Sequence, residues 1–186
     1  MHHLSGPRIL AATLVLFYAV FWVWYGGAGK PLSAAEVDRY MARLDALAGG
    51  TQGALGLRAP LEAWARADDG REFFMVNLVD DPADMAAAEA YNRVILPALF
   101  ARAGHPVFLS RPIARYRSMR DMLDMITGPD AEKIRHLKEA SVSKTHVFPT
   151  HIGFSLISVR FLVAFVFAAL GLALHFMFRP FGWYAR

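Results

Sequence analysis

Two stretches decide most of what this chain can be. Leu10 to Tyr25 reads LAATLVLFYAVFWVWY and Phe161 to Phe178 reads FLVAFVFAALGLALHFMF, and neither holds an acid, a lysine or an arginine. With Ile9 and Gly26 added to the first and residues 157–159 flanking the second, each reaches roughly the 20 residues a helix needs to cross a bilayer. In hydrocarbon every backbone N–H and C=O must find its partner inside the segment, so a run of this kind is helical. The sequence therefore predicts transmembrane helices over 9–26 and 157–178. The first has the basic start (Arg8) and apolar middle of a secretory signal, but its apolar run is long for one. It ends in Phe21, Trp22, Trp24 and Tyr25, an aromatic belt suited to headgroup depth, with no A-x-A site after it, so a retained anchor is expected.

Charge placement sharpens the division. All 16 acidic residues lie between Glu36 and Glu139, while Arg8, Lys30, Arg160, Arg179 and Arg186 sit at or near the ends of the two spans. The net charge of +4 and the pI near 9.6 thus describe membrane flanks and give no support to a nucleic-acid partner. Short basic tails point to the cytoplasm, which predicts a two-pass protein of a bacterial inner membrane, with both termini cytoplasmic and the middle segment periplasmic. Without cysteine the chain has no disulfide, zinc–thiolate site, iron–sulfur cluster or cysteine nucleophile. It also lacks a Walker loop, a G-x-G-x-x-G turn, a nucleophile elbow and an H-E-x-x-H pair.

The middle segment alternates strand-like and helix-like stretches. Residues 31–71 read as a helical connector: Ser33 and Glu36 form an S-x-x-E capping box, and Val37, Tyr40, Met41, Leu44 and Leu47 recur at helical spacing. Phe73 to Val79 has the length and side chains of a strand, and Asp80-Asp81-Pro82 stops it and starts a helix, with Asp81 as N-cap and Pro82 at the first helical position. That helix ends at Gly104, with Pro97 inside it. HPVFLSRPIARYR follows as extended chain, Ser118 with Asp121 caps the next helix, DAEKIRHLKEA is another helical piece, and KTHVFP a last strand.

This order, with Met75-Val76-Asn77-Leu78, the spacing from Tyr91 to Pro97, Arg115-Tyr116-x-Ser118 and IRHLKEA before the last strand, resembles a widespread bacterial family of uncharacterised domains in the dimeric α+β barrel superfamily. The resemblance covers 72–150 and implies an α+β, ferredoxin-like domain flanked by the two transmembrane helices. It also implies a homodimer, although the stretch available for the hairpin between the helices is short, so one of its strands is expected to be shortened or missing. Haem-degrading and cofactor-free monooxygenases of that superfamily use a polar residue on the first strand, and the haem-degraders add a histidine on the second helix. Asn77 and His136 fall on those positions, while Met125 stands near where the haem-degraders carry a tryptophan.

Three other features invite chemistry. Arg111, Arg115, Arg117 and Arg120 lie close together, as a carboxylate- or phosphate-binding set, a lipid contact or a solvated edge. His175 is an ionisable side chain within the second span, which marks either a functional site or a side chain snorkelling to headgroups. The tail HFMFRPFGWY loosely resembles the histidine-bearing helix of light-harvesting antenna polypeptides, which implies bacteriochlorophyll or haem ligation through His175. His146 and His151 flank the last strand without the third ligand a metal site needs. The thin set of reactive residues favours an accessory subunit in contact with the bilayer and a larger membrane complex. A membrane-tethered monooxygenase- or isomerase-like enzyme using Asn77 and His136 is the alternative.

Overall fold

A computed structural model describes residues 5–26, 29–47, 57–79, 84–108, 113–141, 145–151 and 158–185. In chain order its elements are α1 (Gly6–Gly26), α2 (Ala34–Leu47), α3 (Arg58–Arg66), β1 (Phe73–Val79), α4 (Met85–Phe100), β2 (His105–Phe108), β3 (Ile113–Tyr116), α5 (Met119–Ile126), α6 (Ala131–Ser141), β4 (Thr145–Thr150), α7 (Val159–Phe178) and α8 (Gly182–Ala185). They form two compact units, Met1–Tyr25 with Gly153–Arg186, and Gly26–Ile152.

The first unit is an antiparallel helical hairpin. Helices α1 and α7 are both long and apolar enough to cross a membrane. Tyr18, Trp22 and Tyr25, late in α1, meet Arg160 at the start of α7: the Tyr18 hydroxyl donates to the Arg160 carbonyl at 3.3 Å, and the guanidinium lies 4.9 Å from the Trp22 ring and 5.4 Å from that of Tyr25. Aromatic faces are a favourable seat for a cation, which suits an arginine at the end of an apolar helix. Close approach needs small residues, and a Cβ on Gly171 would come within 2.8 Å of Leu14.

The second unit is a mixed α+β domain built on a four-stranded antiparallel sheet in the order β2-β3-β1-β4. Both strands of the short hairpin are present, β2 and β3 having four residues each. Phe73 and Met75 of β1 point to the side where the helices lie. There they share one core with Val37, Tyr40 and Met41 of α2, Ala65 of α3, and Met119, Met122 and Leu123 of α5. Residues 31–71, read as a connector, thus supply part of the core itself. A second cluster of Ile95, Met125 and Ile134 joins α4, α5 and α6.

Local signals act much as their chemistry dictates. The Ser33 backbone N–H donates to the Glu36 carboxylate at 2.9 Å and that of Glu36 to the Ser33 hydroxyl at 3.4 Å, completing the capping box. Ser118 accepts from the Asp121 N–H at 3.2 Å. The start of α4 differs from expectation. Residues 80–83 lie outside those described, and the helix begins at Met85 with Asp84, in extended conformation, accepting from Ala86 and Ala87. A carboxylate with two orphan N–H groups in reach is itself the cap, which moves the start past Pro82.

At the other end of α4 the left-handed residue is Ala103 (φ 54°), not Gly104. Ala103 N–H bonds to Phe100 O at 3.0 Å and Gly104 N–H to Leu99 O at 2.9 Å, the paired bonds of a Schellman turn. Gly104 is required for space, since a Cβ there would lie 2.6 Å from Leu99 and 2.8 Å from the Arg115 carbonyl. Replacing Ala103 with glycine removes a left-handed penalty of about 1–2 kcal/mol at the cost of added unfolded-state entropy. Ala103→Gly is therefore expected to be neutral or stabilising by about 0.5 kcal/mol, and Gly104→Ala clearly destabilising, as thermal unfolding of the two variants will show.

Candidate functional site

The arginines singled out in the sequence are engaged by carboxylates of the domain. Arg115 in β3 is 1% exposed, yet carries a full charge. It donates through Nε to Glu72 at 2.9 Å, through Nη2 to the same carboxylate, and through Nη1 to the Ala103 carbonyl at 2.6 Å. A buried guanidinium is tolerable only when bonded in this way, and here it also meets the electronegative C-terminal end of α4. Arg117, just past β3, makes two bonds to Asp121, at 2.9 and 2.6 Å, which lock the first turn of α5. Arg120 reaches Glu36, joining α5 to α2. Arg111 lies outside the described residues. The three described arginines thus turn to three different carboxylates and do not converge on a common anion site.

Asn77 sits on the core-facing side of β1, half-buried, and its amide donates to the Met75 carbonyl at 3.4 Å. His136 on α6 is 62% exposed and lies 3.7 Å from Glu132, one turn earlier. The two have separate partners, and neither lines the cavity of about 110 Å³ bounded by Trp64, Asp68, Arg71, Phe73, Pro149 and His151. His151 places Nδ1 3.2 Å from the Glu72 carbonyl, while His146 is exposed across from Leu78. Met125 is buried in the helix cluster.

A second concave feature lies in the helical hairpin. A groove of about 520 Å³ runs along α1 and α7, lined by Leu10, Leu14, Tyr18, Phe167 and Ala168 among others, and has His175 and Tyr184 at one end. Tyr184, on the short helix α8, is 3% exposed, and its hydroxyl lies 3.1 Å from His175 Nδ1. His175 is therefore held by a tyrosine of its own unit. Gly6 makes room for this turn, since a Cβ there would fall 2.4 Å from the Tyr184 ring. Tyr184 was not singled out in the sequence, where the one available signal was an aromatic cluster following the Arg179-Pro180 break.

Electrostatic coupling in the domain centres on α2 and α5. The Arg120 hydrogen bond, with those from Ser33, lowers the Glu36 carboxyl to about 2. Burial, and then the 2.6 Å bond to Asp124, raises the Tyr40 hydroxyl to about 12. Burial likewise pushes Lys138 below the usual lysine range and the His105 imidazole below that of histidine. Comparison with family models, curated proteins and solved structures finds no match to this chain.

A carboxylate depressed in the folded state adds stability that is fully present above its unfolded value near 4.5 and is lost as pH falls towards 2. Glu36→Gln is expected to lower the unfolding temperature at pH 7 and to flatten its decline between pH 4.5 and 2. Unfolding scans across that window check both effects, and parallel wild-type and variant curves would exclude the link.

Proposed function

We propose that this chain is an accessory or assembly subunit of a larger membrane protein complex, with its α+β domain serving as a periplasmic contact surface. The observation that carries this reading is an apolar patch on the sheet face opposite the helix-packed core. Val76 of β1 lies across from Phe148 of β4, and Leu78 is on the same face two residues along. Leu78 is 50% and Phe148 44% exposed. Covering such side chains is favourable by about 25 cal/mol per Å² of apolar surface, and clustered exposed apolar residues are a mark of a contact site. The basic flanks of the two spans support a two-pass protein of a bacterial inner membrane with both termini cytoplasmic.

The β-α-β-β-α-α-β order, with α5 and α6 in the place of a single second helix, and the strand order β2-β3-β1-β4 support the ferredoxin-like reading and kinship with the dimeric α+β barrel family. On that reading the occupant of the patch is either a subunit of the complex or a second copy of this chain. The enzyme alternative has less behind it, because Asn77 bonds within its own strand and His136 stands in solvent beside Glu132.

The test is a Leu78→Asp, Phe148→Asp double variant of the full chain, expressed in a bacterial membrane and gently extracted. The expected result is loss of the partner or dimer that accompanies the wild type, with helical content unchanged. Identical mass and composition of both preparations would overturn the contact surface. A reporter joined after Arg186 is expected to be active only in its cytoplasmic form, and activity of a periplasm-dependent reporter there would reverse the orientation.

A further inference from the structure

The groove along α1 and α7 has a polar end that packing alone does not explain. An imidazole in an apolar helix costs several kcal/mol unless bonded, and a leucine would fill the same place without that cost. His175 instead faces the buried Tyr184 hydroxyl at 3.1 Å through Nδ1. A phenol is a better donor than acceptor and an imidazole nitrogen a better acceptor, so the stronger arrangement has Tyr184 O–H donating to Nδ1. The ring proton is then fixed on Nε2. Among the described residues the hydrogen bond His175 makes is the one through Nδ1, and the groove that His175 lines is otherwise walled by apolar side chains. A ligand completing this site must be apolar along its length and carry a neutral oxygen acceptor at its head. The lining contains no lysine or arginine to meet a phosphate, which weighs against a phospholipid. The volume of about 520 Å³ lies within the range of small-molecule sites.

We infer that the α1/α7 groove binds a membrane-soluble quinone, its carbonyl oxygen accepting from His175 Nε2–H and its tail lying along Leu14, Ala168 and Ala164. Tyr184 is the positioning residue that sets the tautomer and holds the ring. This site is independent of the contact surface on the sheet.

The full chain in nanodiscs is incubated with decylubiquinone, and bound quinone is counted by its ultraviolet absorbance against empty nanodiscs. Saturable binding is expected for the wild type. Affinity should fall at least tenfold in His175→Leu, less in Tyr184→Phe, and be lost in Ala168→Leu, which fills the groove and leaves His175 and Tyr184 in place. Unchanged helical content keeps these variants interpretable. Non-saturable uptake equal to empty nanodiscs, undiminished binding by His175→Leu, or equal displacement by a phospholipid analogue would each overturn the proposal. So would a co-purifying tetrapyrrole whose visible band disappears with His175→Leu, since that requires Nε2 as a lone-pair ligand instead of a donor.

Discussion

The α+β unit is organised around a charge that it cannot leave bare. Arg115 sits in β3, the strand between β2 and β1, and withdrawing its guanidinium from water costs several kcal/mol unless every side of it is bonded. Glu72, just before β1, and the Ala103 carbonyl, at the end of α4, supply those bonds. Three parts of the chain far apart in sequence are thereby fixed to one planar group. The pairing also fixes register. Arg115 is opposite Phe74 on one side and His105 on the other, and a slip of one residue would turn its charge into the core beside Phe73 and Met75.

The hairpin is held by different means. In a bilayer, lipid would offer apolar side chains as good an environment as a neighbouring helix does, and hydrophobic burial would do little to pair α1 with α7. Shape and a few polar contacts replace it: Gly171 against Leu14, Gly6 beneath Tyr184, Arg160 over Trp22 and Tyr25, and His175 with Tyr184. Bulky residues such as Phe17, Val23, Phe165 and Phe176 remain exposed, which suits an apolar solvent.

What the sequence made legible was local. The two long apolar helices, both serine caps, the extent of β1 and the mixed α+β character follow from periodicity, length and side-chain reach within a few residues. What it hid was long-range. Nothing near Arg115 indicates that its carboxylate lies 43 residues away, and this is why a buried structural arginine read as a member of a surface cluster. Asp81 and Asp84 are equally good caps by composition, and only the backbone decides between them. Tyr184 became visible as a partner of His175 only once the turn after α7 brought it back. The Asn77 and His136 positions came from a resemblance, and their side chains have separate partners in the fold.

The turn Asp68-Asp69-Gly70 grips the segment that enters the domain. Asp68 accepts from the Leu32 N–H at 2.8 Å, and Gly70, at φ +77°, lies so close to Gly29 and Lys30 that a Cβ would stand 2.6 Å from the Gly29 carbonyl. These contacts tie residues 29–32 into the domain, well ahead of the first strand. A fragment beginning at Glu72 would keep all four strands but lose Val37, Tyr40, Met41 and Ala65, leaving Phe73, Met75 and Leu123 open to water. Sheet and amino-terminal helices share one core, and neither is complete without the other.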